Sequence, residues 1–153
     1  MTDTTTTATP TSTGWSEEER RAMKEYAAEL KKAKGRGGKL TREQGELDVL
    51  EKLAELPEPD RSMGERIHSI VKDVAPQLVP RTWYGLPAYA NEKGKVICFF
   101  TPASKFKERY ASFGFNADAH LDEGTMWPTA WAITAITPEV ERQIASLVKK
   151  AVS

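Results

Sequence analysis

The segment of residues 81–101, RTWYGLPAYANEKGKVICFFT, constrains the fold of this chain more than any other. It contains one Trp, two Tyr and two Phe around a Gly-x-Pro sequence and a turn that ends at Gly94. Its apolar residues recur as they do in β-strands, and residues 91–94 are typical of a hairpin connection. The segment therefore predicts adjacent strands of a sheet with an aromatic surface.

The periodicity on either side of this segment predicts helices. Ser16 and Glu19 have the spacing of a capping box, Asp60 is expected to cap a third helix, and Thr137 a last one that begins at Pro138. Leu47, Leu50, Leu53 and Ala54 predict the buried face of the second helix. The four helices are expected at residues 16–34, 42–56 and 60–74, and from residue 138 onward.

Five short strands are expected between the third and the last helix. Strands that are grouped together, with helices at either end and no βαβ alternation, indicate the α+β class with an antiparallel sheet and helices on one face. The strands are predicted near residues 81–84, 88–91, 95–101, 110–115 and 131–136.

Composition excludes several classes of protein. Lys and Arg together number 22, as do Asp and Glu, so the net charge is zero and a dedicated nucleic-acid-binding role is not expected. No apolar run approaches the ~20 residues that cross a bilayer. The single cysteine, Cys98, cannot form an internal disulfide, and the Thr-rich residues 1–14 read as a disordered tail rather than a signal peptide. We therefore predict a cytoplasmic protein.

Several short segments of residues 57–153 carry a family pattern. They are ERIHSIVKDVAP (65–76), TWYGLPAY (82–89), KVICFF (95–100), Lys105 with Phe106, and GTMWP (124–128). With these segments the chain resembles the YdhG-type family of uncharacterised small proteins, which has a frataxin-like (YjbR/CyaY-like) fold. The resemblance implies a domain at residues 57–153 with two helices packed on one face of the sheet, and residues 15–56 resemble a helical extension of some members.

The resemblance also implies a possible metal-related role. Frataxin-like relatives suggest iron delivery or partner binding, and frataxins use an acidic ridge on the first helix and strand. The corresponding helix of this chain has mixed charge, because Arg61, Arg66 and Lys72 alternate with Glu65 and Asp73. Iron binding is therefore the alternative function, and it rests on the fold alone.

Both faces of the strand at residues 95–101 are apolar. Val96, Cys98 and Phe100 alternate with Ile97 and Phe99, and a strand of this kind needs cover on both faces. The two helices of the implied fold cover one face, so the other holds a small molecule, a protein partner or the N-terminal helices, with plain core packing as the alternative. The expected binding residues are Trp83, Tyr84, Pro87, Tyr89, Phe100, Lys105, Phe113 and Trp127.

The loop at residues 116–124 is a candidate cation site. Carboxylate oxygens and imidazole bind divalent cations, and four such side chains lie within six residues: Asp118, His120, Asp122 and Glu123. The alternative is a surface turn. No residue at the sixth or twelfth position, counted from Asn116, fits an EF-hand.

No catalytic signature accompanies these features. The sequence has no P-loop, Gly-x-Ser-x-Gly, His-Glu-x-x-His or Cys-x-x-Cys pattern. Cys98 lies within a predicted strand and reads as a core residue. The sequence thus predicts a non-enzymatic binding protein without a required cofactor, either a monomer or a homodimer in which the helical extension covers a neighbour's sheet.

Overall fold

The computed structural model describes residues 14–36 and 41–153. The predicted tail, apart from Gly14, lies outside these residues. Within the described residues the predicted α+β class is confirmed, with four helices and one five-stranded antiparallel sheet. The elements are α1 (Glu17–Gly35), α2 (Arg42–Ala54), α3 (Asp60–Val74), β1 (Val79–Trp83), β2 (Leu86–Ala90), β3 (Val96–Thr101), β4 (Ala111–Phe115), β5 (Ala130–Ile133) and α4 (Pro138–Ala151).

Local side-chain chemistry explains where the helices begin. The capping box of α1 is confirmed, because Glu19 N–H donates to Ser16 Oγ and Ser16 N–H donates to the Glu19 carboxylate. Thr137 caps α4 as predicted. The prediction for Asp60 is wrong: Pro59 is the N-cap residue, and the buried Asp60 carboxylate accepts the Ser104 N–H at 3.0 Å instead.

The strands follow one another across the sheet in the order β1-β2-β3-β4-β5. Tyr84 and Gly85 form the two-residue turn between β1 and β2, with φ values of 55° and 78°. Two positive φ values are what a type I′ turn requires, and this turn matches the twist of the strands it joins. The glycine of the Gly-x-Pro sequence therefore lies in a tight hairpin turn, and Leu86 and Pro87 belong to β2.

A β-bulge changes the faces of β3. Tyr89 pairs with Cys98, but the next residue, Ala90, pairs with Val96, which leaves Ile97 unpaired on β3. As a result Ile97 belongs to the same core as Cys98. The prediction that strict alternation places Ile97 on the opposite face is wrong, because a bulge interrupts the period of two.

Three helices cover one face of the sheet. The α3 and α4 helices pack together, and Arg66 binds Glu141 across them with two hydrogen bonds of 2.8 Å. The α2 helix joins this layer, because Leu53 and Phe100 converge on Gly64 of α3, where a Cβ atom would have no room. The core lies between these helices and the sheet.

The buried face of α2 differs from the predicted one. Its buried residues are Gly45, Val49 and Leu53, each four positions from the next. Leu47 is 66% exposed, Leu50 is 41% exposed and Ala54 is exposed as well, so the prediction for these three is wrong. They were predicted only because they are apolar, whereas the helical face that packs on the sheet is the one with Gly45, Val49 and Leu53.

Both N-terminal helices pack on their own chain. The α2 helix contacts β1 and β2, and α1 meets the sheet at the β1–β2 turn. Among the helices of the described residues, none has the length and apolar character to cross a bilayer.

Candidate functional site

The structure separates the eight predicted binding residues. Four of them have fully buried side chains beneath the helices and are unavailable to a ligand in this conformation: Pro87, Tyr89, Phe100 and Phe113. Trp127 is partly buried and packs against the same core. Trp83, Tyr84 and Lys105 lie elsewhere, so the eight residues do not form one surface.

The opposite face of the sheet, which we term the open face, carries Trp83 and Phe99. Their ring centroids are 5.1 Å apart, and both side chains are partly exposed. Phe99 lies over Gly114 on β4, and Ala88 lies directly beside it on β2. The large rings thus cover the small residues of this face, and their outer surfaces remain available for contact.

A groove of about 420 Å³ lies beside Trp83. We term it the Trp83 groove. One part is apolar or aromatic, from Trp83, Val96 and Tyr26 of α1, and another is charged, from Arg81, Lys95 and Asp118. Its complete lining is Tyr26, Arg81, Trp83, Gly94, Lys95, Val96, Asn116, Ala117 and Asp118.

Two cations of this groove have no carboxylate partner within the part of the chain that the structure describes. Arg81 makes one long contact of 3.4 Å from Nε to the Thr82 carbonyl oxygen, and the Lys95 side chain makes no hydrogen bond or ion pair there. Asp118 lines the same groove without pairing with either. The groove therefore offers an aromatic ring beside two cations that are free to bind an anion.

The predicted binding residues Tyr84 and Lys105 both contact side chains of α1. The Tyr84 ring stacks on Tyr26 with centroids 4.1 Å apart, and the N–H groups of Tyr84 and Gly85 donate to Glu29 at 2.9 and 2.8 Å. Lys105 donates to Glu25. These contacts attach α1 to the hairpin turn.

Glu25 also accepts a hydrogen bond from Lys52 at 2.7 Å. Partial burial alone would raise the pKa of the Glu25 carboxyl, but the hydrogen bonds from Lys105 and Lys52 outweigh burial and lower it. Glu25 is therefore held in its charged form between the two lysines.

A chain of buried polar groups connects β2, α3 and α2. His68 Nδ1 lies 2.9 Å from the Tyr89 hydroxyl, and Nε2 lies 3.1 Å from the Glu46 carboxylate. Burial raises the pKa of Tyr89, and the negative charge of Glu46 raises it further, so its hydroxyl stays protonated. The Glu46 carboxylate can only accept a hydrogen bond, so His68 donates to it from Nε2, and Nδ1 pairs with the Tyr89 hydroxyl. These hydrogen bonds give the buried polar atoms of Tyr89 and His68 their partners inside the fold.

The side chains of the predicted cation site do not come together around one point. His120 Nδ1 lies 2.8 Å from the Ser153 carbonyl oxygen, and Glu123 accepts a hydrogen bond from Lys150 at 2.7 Å. Within residues 14–36 and 41–153, no three His, Cys, Asp or Glu side chains are grouped to hold a metal ion. Asp118 and His120 instead line a second groove of about 590 Å³ at the C-terminal end of α4.

Cys98 lies in the core with no exposed surface. Burial raises the pKa of its thiol well above the usual range, so the reactive thiolate does not form near neutral pH. The expectation that Cys98 packs as a core residue agrees with this position.

Comparisons with protein-family models, with curated proteins and with solved structures found no similar protein. The resemblance to the YdhG-type family therefore stays a prediction from the sequence motifs.

Sequence reasoning missed most of the Trp83 groove. Trp83 was predicted, but Arg81 and Lys95 were not, although Arg81 is two positions from Trp83 and so lies on the same face of β1. That spacing was the available signal. The contribution of Tyr26 had no local signal, because α1 reaches the groove through tertiary packing.

Proposed function

We propose that this chain is a binding protein whose site is the Trp83 groove. Its ligand is a small molecule with a planar aromatic part and an anionic group. The observation that carries this proposal is a partly exposed Trp83 ring beside Arg81 and Lys95, two cations without a carboxylate partner in the described residues.

Each part of the groove has a matching role. The Trp83 ring offers a stacking surface that extends to Phe99, and an aromatic ligand gains dispersion and burial there. The Arg81 guanidinium forms strong, charge-assisted hydrogen bonds with a carboxylate or phosphate, and Lys95 adds a second positive charge. Asp118 repels anions on one side and so favours one orientation of the ligand.

The first prediction concerns the binding of 2-naphthoate, an aromatic carboxylate that serves as the probe. Trp83→Ala should weaken this binding about five- to 150-fold, since stacking on one aromatic side chain contributes roughly 1–3 kcal/mol. Arg81→Gln/Lys95→Gln should remove the preference for 2-naphthoate over its neutral analogue 2-naphthalenemethanol. Isothermal titration calorimetry on the full-length protein measures both effects.

Two matched variants serve as controls. Trp127→Phe changes a tryptophan outside the groove, and Lys93→Gln removes an exposed lysine two positions from Lys95. Both should bind 2-naphthoate as the unmodified protein does. If the unmodified protein binds neither naphthalene compound, or binds both equally before and after Arg81→Gln/Lys95→Gln, the proposal is wrong.

Iron binding and homodimer formation, the alternatives from the sequence, stay predictions. His120 and Glu123 of the candidate cation loop already have protein partners. The helices that would cover a neighbour's sheet already pack on their own chain. Neither alternative gains a specific supporting contact among the described residues.

A further inference from the structure

The hairpin turn between β1 and β2 presents two backbone donors to one carboxylate. The N–H groups of Tyr84 and Gly85 both point at Glu29, at 2.9 and 2.8 Å. Tyr84 adopts φ 55°, a left-handed conformation that costs a non-glycine residue roughly 1–2 kcal/mol. Adjacent backbone N–H groups that converge in this way form a recurrent type of anion-binding concavity.

Two lysines complete the concavity. Lys105 and Lys52 both bind the Glu25 carboxylate, and Lys105 has only 14% of its side chain exposed. A Cβ atom at Gly85 would overlap both Glu25 and Lys105, so Lys105 adjoins the turn, and Lys52 is linked to it through the Glu25 carboxylate. Apart from Glu25 and Glu29, the only carboxylate that pairs with this group among the described residues is Glu55, which is largely exposed and 3.6 Å from Lys52.

All the donors belong to the body of the fold, while both partly buried acceptors belong to α1. Lys52 lies on α2, Lys105 in the β3–β4 loop, and the two N–H groups in the β1–β2 turn. Glu25 and Glu29 are four positions apart on α1, so they project from the same helical face with Cβ atoms about 6 Å apart. We term the four donor groups the turn cradle.

The α1 helix is attached mainly by polar contacts. Ala22 is its single buried residue among those described, and Tyr26 adds one stacked ring. Its other links to the body are ion pairs, from Lys32 and Arg36 to Asp48 and from Glu18 to Lys107. An element with so little buried apolar surface opens at a small fraction of the free energy of global unfolding.

We propose that the turn cradle is an anion-binding site for two closely spaced oxyanion groups, such as a diphosphate, and that Glu25 and Glu29 occupy it as intramolecular competitors. In this arrangement the two carboxylates take the positions of the two oxyanions. A diphosphate binds the cradle when α1 moves away, and α1 closes it again when the anion leaves. None of the four donor groups lines the Trp83 groove, although α1 contributes Tyr26 to it, and the proposal does not depend on the function proposed for that groove.

Pyrophosphate is the probe for the first test, with the full-length protein and isothermal titration calorimetry. Glu25→Ala/Glu29→Ala removes the competitors, so it should bind pyrophosphate at least tenfold more tightly than the unmodified protein. The matched control Glu43→Gln/Glu51→Gln changes the net charge by the same amount at exposed positions of α2 and should leave the affinity unchanged. Adding Lys105→Met to Glu25→Ala/Glu29→Ala should cancel the gain.

Equal affinity of the unmodified protein and Glu25→Ala/Glu29→Ala would overturn the proposal, as would a gain that survives Lys105→Met. A parallel titration with ADP distinguishes the source of the diphosphate. Tighter binding of ADP assigns it to a nucleotide and weaker binding assigns it to the free anion, and both results support the cradle.

A second test keeps the chain unmodified and so does not depend on whether a variant folds. Pyrophosphate should shift the NMR amide signals of Tyr84 and Gly85 and increase hydrogen exchange along α1. Sodium chloride at the same ionic strength should neither shift these two amide signals nor increase hydrogen exchange along α1. If pyrophosphate leaves the Tyr84 and Gly85 signals where chloride leaves them, the cradle does not bind the anion.

Discussion

At the scale of single residues, the polar chain of Tyr89, His68 and Glu46 connects three elements through side chains. Hydrogen bonds of 2.9 and 3.1 Å join them, and Tyr89 and His68 are both buried. A buried polar group that loses its partner costs more than the hydrogen bond itself contributes. This series of hydrogen bonds therefore favours a single position of α2 on the sheet.

Tyr89→Phe should lower the free energy of unfolding by about 1–3 kcal/mol, because His68 Nδ1 then has no hydrogen-bond partner in a buried position. Urea denaturation followed by circular dichroism measures the change. Tyr110→Phe is the matched control, since Tyr110 is 40% exposed, and it should stay within about 0.5 kcal/mol of the unmodified protein. Equal stability of the two variants would show that the His68 contact contributes nothing.

At the scale of elements, α1 and the hairpin turn depend on charge. Partial burial acts to raise the pKa values of Glu25 and Asp48, but hydrogen bonds outweigh it, from Lys105 and Lys52 in the first case and from Arg36 and Lys32 in the second. Both pKa values are therefore lowered in the folded chain. Carboxyl groups of this kind stabilise the folded state when ionised and lose that contribution on protonation.

We expect α1 to detach in acid before the sheet unfolds. The contribution of Glu25 is fully present above about pH 4.5, its ordinary pKa, and is lost as the pH falls through the lower value of the folded chain. NMR hydrogen exchange, expressed as protection factors, should show α1 losing protection below this pH while β3 keeps it. Simultaneous loss in α1 and β3 would mean that these ion pairs do not hold α1 separately.

The elements also show which features of the fold can be predicted from sequence patterns. Capping residues and alternating strands are local signals, and they predicted the order and approximate positions of the helices and strands, although the cap assigned to Asp60 was wrong. The face of Ile97 was missed because the bulge arises from pairing between strands, and the burial of Phe100 beneath α2 depends on packing across Gly64. For the same reason the predicted aromatic site divided between two faces: a list of aromatic residues does not specify which face each one occupies.

At the scale of the whole molecule, α2 packs on the core of residues 57–153, the range that the sequence analysis predicts as a separate domain. Val49 and Leu53 have no exposed surface, and Leu53 packs at the contact between Gly64 and Phe100. Truncating a buried residue of this size to alanine costs about 2–5 kcal/mol, and removing α2 deletes two of them together with Glu46. That loss is comparable with the ~5–15 kcal/mol that stabilises a typical domain.

A fragment of residues 57–153 should therefore aggregate or melt without a cooperative transition. A fragment of residues 41–153 retains α2 and is the matched control, expected to melt cooperatively. Circular dichroism melting and light scattering compare the two. If both fragments melt cooperatively at the same temperature, α2 is an appendage to an independent domain.

The sequential strand order has a consequence for synthesis on the ribosome. Each strand pairs with its neighbour along the chain, so the sheet forms by closing short loops, whose entropy cost is small. The contact between Arg66 and Glu141, by contrast, joins residues 75 positions apart. Because α4 is synthesised after all five strands, its residues Ile144 and Val148 join the core last, and the nascent sheet exposes apolar core surface until they do.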